Sequence, residues 1–243
     1  MKFLDADGPL RFTEVPVPAL APHQEAALAE RWGEGVHANP LMFDGPVVTV
    51  LGAEPDGRGG LLVRWARATY RRHLLREMPE VTTPAFLFVA TAQPTPAGVV
   101  VGRTAAWTST GAGRWVIPGG TVEPPEPGRP LHEELIRQHA ARELGEETGV
   151  EVPAPDLTRW AVLWAPNGNL GVCFGAPPRP EPEVRERFAA LLADAVQRRE
   201  EPELSAIDFV STPADLARLD GTPAVALPAL LERYASTRAG AGQ

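Results

Sequence analysis

The chain has a single cysteine, Cys173, so an internal disulfide is excluded. That cysteine sits in the strand-like run VCFG, where a small buried thiol is the ordinary role, and no catalytic part is assigned to it. Long apolar runs are missing too: no segment approaches the ~20 consecutive apolar residues a membrane span requires, which argues against membrane residence. Positive charge is scarce, with 23 Lys and Arg against 31 Asp and Glu and a formal net charge of -8. A surface that tracks nucleic-acid phosphates needs many Lys and Arg contacts, so nucleic acid is not an expected partner. The opening MKFLDADGPL is broken by Asp5, Asp7, Gly8 and Pro9 before any secretory apolar segment can form, and a cytoplasmic location is expected. A small anionic substrate stays compatible with this charge balance if a metal supplies local positive charge.

What the chain does have is length and punctuation. Its 243 residues are enough to bury a substantial core, and 27 prolines and 23 glycines cut it into short elements without a repeat period. Helical text from Pro22 to Gly33 precedes strand-like stretches at Val47–Leu51 and Leu61–Trp65, a small N-terminal α/β unit. Turn-prone residues around Thr82, Thr83 and Pro84 place a boundary near residue 80, giving residues 1–80 as a small substrate-recognition region and 81–243 as the catalytic domain. Beyond it the text reads as strands at Phe86–Ala92, Val99–Thr104 and Arg114–Gly120, then a helix over about Leu131–Glu147. Strands near Arg159–Trp164 and Val172–Phe174, a helix at Glu183–Arg199, a strand at Ala206–Val210 and a closing helix complete an α/β/α sandwich with a mixed sheet. Val184, Phe188, Leu191, Leu192 and Val196 form a stripe of core contacts along the Glu183 helix.

The chemistry is concentrated in Arg142–Val150, RELGEETGV. Spacings of three and four put Glu143, Glu146 and Glu147 on one face at the end of a helix, where like charges repel by a few tenths of a kcal/mol per pair. A solvated helix end would explain a bare Glu-Glu pair, but a hard divalent cation relieves this crowding, and Mg²⁺ typically bridges one or two carboxylates to substrate phosphates. Arg142 is spaced to pair with Glu146, and Gly149 to end the helix in a left-handed cap. Upstream, RWVIPGG supplies a strand ending in glycines whose backbone can aim a carbonyl into a site.

Together these segments resemble the Nudix box: a glycine, a glutamate five residues on, then an Arg-Glu-apolar-x-Glu-Glu-x-Gly-apolar run. The resemblance implies a Mg²⁺-dependent (alternatively Mn²⁺-dependent) pyrophosphohydrolase of the Nudix fold. Carried over, it makes Glu143, Glu146 and Glu147, with Arg142, the catalytic set, and the carbonyl of Gly120 a further metal ligand. One more carboxylate is expected from a later loop, where REEPELSAIDFV offers Glu200, Glu201 and Glu203; Glu203 or Glu201 is the candidate.

The box is stretched. From Gly120, five residues lead to Glu126, but fifteen rather than seven separate Glu126 from Arg142. Gly128, five residues, Glu134, seven residues, Arg142 fits the written pattern without a gap. Gly128 lies in the turn text PEPGRP with no strand before it, whereas Gly120 ends a strand, so Gly120 is expected to be the box glycine, with Glu126 or Glu134 as the first glutamate.

The NPLMFDGPVV segment, Tyr70-Arg71 and GGTVEPPEPG are similar to the branch of that family containing animal UDP-glucose pyrophosphatases and their plant relatives. This resemblance implies a nucleotide sugar, split to a nucleoside monophosphate and a sugar phosphate, with ADP-ribose or another nucleoside diphosphate derivative as the alternative. Asn39, Asp44 and Arg71 are candidate substrate contacts, although each also reads as a turn or surface residue, and Trp107 and Trp115 are candidates for base stacking that read equally as core. A module that senses nucleotides without turnover is disfavoured by the intact glutamates. A small triphosphate-cleansing enzyme is disfavoured by the first eighty residues. The expected assembly is a homodimer.

Overall fold

In the computed structural model, residues 1–78, 85–108 and 111–241 are described. Strands β1 (Lys2–Leu4) and β2 (Leu10–Glu14) precede helix α1 (Pro22–Ala38), the hairpin β3 (Pro46–Pro55) and β4 (Leu61–Thr69), and a 3-10 helix at Tyr70–Glu77. Then come β5 (Ala85–Ala92), β6 (Pro94–Thr95), β7 (Gly98–Thr104), β8 (Arg114–Val116) and helix α2 (Glu133–Thr148). The chain continues through β9 (Thr158–Trp164), β10 (Leu170–Gly175), α3 (Glu181–Arg198), β11 (Leu204–Val210), β12 (Thr222–Pro223) and α4 (Leu227–Ala241).

One mixed sheet of seven strands runs β1-β9-β10-β5-β3-β4-β2, and a second of five is built on β11-β7-β8-β12 with β6 against β7. Strand alternation explains the layering, because successive side chains point to opposite faces. In β5, Leu87 and Val89 join the core built on Ile136, Ala140 and Leu144 of α2, while Ala90 and Ala92 join the one built on Leu227, Leu230 and Leu231 of α4. Strand β10 divides likewise, Val172 and Phe174 on the first side and Cys173 on the second. Cys173 is fully buried, which pushes its thiol up to about 12 and keeps it protonated at neutral pH. Helices therefore cover both faces of the sheets, the expected α/β/α sandwich. No helix among the described residues is long and apolar enough to cross a membrane.

The turn around Thr82, Thr83 and Pro84, with the boundary drawn near residue 80, lies outside the described residues. On either side the sheet is continuous: β3 pairs with β5 through Thr49↔Phe86 and Val50↔Ala85, and β1 pairs with β9 through Lys2↔Trp164. The N-terminal α/β unit thus extends the sheet that carries the candidate site. On α3 the core stripe is Val184, Phe188 and Ala195; Val196, expected to complete it, is 78% exposed. Val196 lies about 100° around the helix from Ala195, and the buried side cannot hold both.

Candidate active site

Helix α2 sets the site's geometry. His132 caps its start, Nδ1 accepting from the Leu135 amide at 3.2 Å, with Glu133 and Glu134 at the positive end of the dipole. Gly149 ends it in the left-handed conformation expected (φ 73°), donating to the Gly145 carbonyl at 2.8 Å. A Cβ there would lie 2.7 Å from the Arg187 carbonyl oxygen, so α3 closes directly on the cap. With Ile136, Ala140 and Leu144 in the core, the neighbouring stripe carrying Glu143 and Glu147 faces a cleft of about 610 Å³.

The cleft floor is the irregular segment after β8, a strand that ends at Val116 and not at Gly120 as expected, because close docking of residues 118–122 on β5 replaces regular pairing. Its backbone docks on β5: Thr91 donates to the Pro118 carbonyl (2.7 Å), Val89 to that of Gly120 (2.9 Å), and Val122 to that of Leu87 (2.9 Å). Both glycines are demanded by close approach. At Gly119 (φ 155°) a Cβ would lie 2.0 Å from the Val89 oxygen, and at Gly120 one would lie 2.4 Å from Oε2 of Glu143. The Gly119 amide donates to Oε2 of Glu147 at 2.7 Å.

The three box glutamates do not share one environment. Glu147 is buried and the Glu143 side chain is 14% exposed, whereas that of Glu146 is 64% exposed and lies outside the cleft lining. Burial drives the Glu143 carboxyl up to about 7; Arg142 opposes this and Glu146, Glu203 and Glu123 reinforce it. Burial raises Glu147 well above the ordinary carboxylate range, opposed by the Gly119 hydrogen bond and reinforced by Glu143, Glu203 and Glu146. Glu203, just ahead of β11, is an exposed residue that lines the same cleft, and its carboxyl is raised by desolvation and by the charge of Glu146. Glu200 and Glu201 are exposed and outside the lining, Glu200 lying 3.0 Å from Arg198.

Arg142 reaches Glu146 at 3.8 Å as expected, and also Glu143 at 3.7 Å, Glu123 at 3.5 Å and Nδ1 of His139 at 2.9 Å. His139 is buried and pushed down to about 4, by burial first and then by Arg142, so it is neutral at pH 7. The acidic partner that the loop after Gly120 offers Arg142 is therefore Glu123. Glu126 is exposed and outside the lining, and Glu134 pairs with Arg137 at 2.7 Å. Spacing alone points to position 126; the signal for Glu123 is a carboxylate three residues after the glycine pair Gly119-Gly120. Gly128 sits on an exposed turn (φ 82°) with open space where a Cβ would go.

Away from the carboxylates the walls carry apolar and aromatic side chains, Leu41, Phe43, Tyr70, Phe88 and Trp107 among them, with the neutral Thr104, Thr108, Asn167 and Asn169 between. Leu41 and Phe43 are 57% and 76% exposed. Asn39 lines this end, but its side chain is engaged, Nδ2 donating to the Trp107 carbonyl (2.8 Å) and Oδ1 accepting from the Leu41 amide (3.1 Å). Asp44 and Arg71 bind each other, Oδ1 accepting from the Arg71 amide at 2.7 Å and Oδ2 lying 3.5 Å from its Nε, and neither lines the cleft. Trp107 is a wall; Trp115 is buried core, its indole donating to the Asp220 carbonyl at 2.9 Å.

A family model, the NUDIX domain, matches residues 81–229, well over half of the chain. The chain belongs to the Nudix family. It is a pyrophosphohydrolase by that membership. Solved Nudix structures similar to it include a putative Nudix hydrolase family member from Chromobacterium violaceum: 22% identity, 65% of this chain, 81% of that one, TM-score 0.39. The MutT protein of Methanosarcina mazei Go1 is 18% identical over 65% of this chain and 99% of its own, TM-score 0.43. The Nudix domain of Shewanella oneidensis NrtR, complexed with ADP ribose, is 17% identical over 70% of this chain and 99% of its own, TM-score 0.42. At such identities none of the three bears on this chain's substrate. No curated protein matches the chain.

Nudix hydrolases generally use divalent cations such as Mg²⁺. The donor chemistry here suits one: hard carboxylate oxygens on Glu143 and Glu147, crowded and desolvated, with the nearby guanidinium of Arg142 already shared among Glu123, Glu143 and Glu146. Among the described residues no three His, Cys, Asp or Glu side chains are drawn around one point.

Proposed function

We propose that this Nudix protein is a Mg²⁺-dependent hydrolase of the diphosphate linkage in a nucleoside diphosphate derivative. A nucleotide sugar such as UDP-glucose is the first candidate, with ADP-ribose as the alternative. The observation that carries this reading is the pair Glu143 and Glu147, pressed against Gly119 and Gly120 at the floor of a cleft that also carries apolar and aromatic walls.

A bound divalent cation neutralises diphosphate charge and lowers the pKa of the water it holds. The chain's own part is to hold acceptors at that place. The Gly119 amide orients Glu147, Gly120 leaves room for the Glu143 carboxylate, and Arg142 steadies Glu143 beside Glu146. A carboxylate of this group, with Glu203 as a further candidate, takes the proton of the attacking water. The water oxygen bonds to one phosphorus, the bridging P–O bond breaks in line, and no covalent enzyme intermediate is needed. Leu41, Phe43 and Trp107 supply flat or apolar surface for the nucleoside.

The test is product analysis on a panel of UDP-glucose, other nucleotide sugars and ADP-ribose with Mg²⁺ and with chelator. Metal-dependent release of a nucleoside monophosphate and a sugar phosphate is expected. Tight binding without turnover across the panel would indicate a sensing module instead.

A further inference from the structure

Helix α2 buries one imidazole that does not line the cleft. His139 stands three residues before Arg142 and four before Glu143, so all three side chains share one side of the helix. Its Nδ1 lies 2.9 Å from Nη2 of Arg142. A guanidinium carries only donors, so at that distance the imidazole nitrogen is the acceptor, and the ring is neutral with its proton on Nε2. Burial and the charge of Arg142, which push its pKa down to about 4, act in the same direction.

This contact fixes the guanidinium. The same Nη2 lies 3.5 Å from Glu123 and 3.7 Å from Glu143, and Nε lies 3.8 Å from Glu146, all longer than a hydrogen bond of about 2.7–3.2 Å. Ion pairs of that length hold a long side chain weakly, whereas a charge-assisted bond to a buried ring holds one atom of it in place. Without the ring, the 42% exposed Arg142 side chain is free to close on Glu146 or Glu123, whose side chains are 64% and 53% exposed. Glu143, with a side chain 14% exposed, would then lose its counter-charge.

We propose that His139 is a positioning residue for the hydrolysis: as a neutral acceptor behind Arg142 it keeps the guanidinium beside Glu143, and so keeps that carboxylate turned to the cleft floor at Gly120. The proposal rests on the placement of Glu143 and Arg142 in the active site and adds the group that holds them. His139 acts through Arg142 and touches no reacting atom.

The experiment compares two variants with the wild type, on whichever of UDP-glucose and ADP-ribose is turned over with Mg²⁺. His139→Leu keeps the bulk of the ring and loses the acceptor; His139→Asn is smaller but sets Oδ1 where Nδ1 stood. His139→Leu should lose kcat about 10-fold, with KM changed less than ~2-fold. His139→Asn should keep kcat within ~3-fold yet melt below His139→Leu, because of the space it leaves. A purely structural role would instead rank activity with stability. In an Arg142→Ala background, His139→Leu should cost no further kcat. Nitrogen NMR of the metal-free wild type at pH 7 should find the His139 proton on Nε2. Should His139→Leu fail to fold, His139→Ala, also without an acceptor, should show the same loss of kcat. Wild-type kcat without the acceptor, equal loss in the Leu and Asn variants, undiminished loss in the Arg142→Ala background, or a proton on Nδ1 would overturn the proposal. Absence of turnover with every diphosphate tested would sink the functional reading alone. The metal-free melting shifts of His139→Leu, Arg142→Ala and the double variant would then still decide this one: coupled shifts are expected, and additive shifts overturn it.

Discussion

The Gly119 amide and the Glu147 carboxylate, 28 positions apart, meet in a 2.7 Å hydrogen bond that ties the floor of the cleft to the last turn of α2. It opposes the burial that raises that carboxyl. Glu147→Gln preserves the volume, and its amide oxygen can accept from the same N–H. The variant should unfold near the wild-type temperature, because it keeps the volume and the hydrogen bond from the Gly119 amide, yet lose most metal-dependent turnover. It should also lose most of the stabilisation that added Mg²⁺ confers on the wild type, which melting curves with and without the ion will read. Retention of near wild-type activity would remove Glu147 from the site.

The pH dependence follows from Glu143, whose carboxyl is raised from the ordinary 4.5 to about 7 by burial. Between those values the folded chain holds a proton that the unfolded chain has released, so metal-free stability should fall as pH rises from about 4.5 to 7. A divalent cation competes with that proton. Stabilisation by Mg²⁺ should therefore be small in mild acid and grow toward pH 8, and turnover should rise over the same range. Melting temperatures across pH, with and without Mg²⁺, check the sign; activity that peaks in acid would contradict it.

Gly120 and Gly128 separate two alignments of the box. A side chain at Gly120 would strike the Glu143 carboxylate, so Gly120→Val should cripple turnover. Gly128→Ala meets open space but keeps a positive φ, so it should cost about 1 kcal/mol of stability, the left-handed penalty, with kcat unchanged. Glu134→Gln should leave kcat unchanged, losing its surface pair with Arg137 and its charge at the positive end of the α2 dipole, together about 1 kcal/mol of stability or less. If Gly128→Ala and Glu134→Gln abolish activity while Gly120→Val does not, the gap-free pattern is the right one.

Phe43 is 76% exposed at the apolar end of the cleft, so its truncation removes little packing. Phe43→Ala should leave the melting temperature nearly unchanged and raise KM for the nucleotide substrate roughly 5-fold or more, as expected for a lost base stack worth ~1–3 kcal/mol. kcat should change little, because the contact is made equally in ground and transition states. An unchanged KM would place the nucleoside elsewhere.

Local physics made much of this legible in advance. The carboxylate spacing within Arg142–Val150 and the left-handed cap at Gly149 are short-range consequences of helix and turn geometry, whereas the strand expected to reach Gly120 stops at Val116. Most strands and helices were readable from apolar periodicity for the same reason. Asn39, Asp44 and Arg71 were legible as unusual residues but not in their partners: Asn39 tethers the Trp107 loop, and the other two hold each other. Sequence spacing says nothing about which of two polar groups, a substrate's or a neighbour's, fills a side chain's hydrogen bonds.

By itself the sequence determined that a cluster of glutamates would end a helix capped by Gly149, because those features arise within a few residues of chain. Only the tertiary structure decided that Glu143 and Glu147 turn inward while Glu146 remains at the surface, since that depends on which side of α2 the sheet covers. It also decided that Arg142 reaches Glu123, that Glu203 arrives from the loop just ahead of β11, and that the cleft lining among the described residues has no cation. Those relationships join residues 19 to 60 positions apart along the chain, and they exist because β5, α2 and β11 pack on one core rather than because of any local preference.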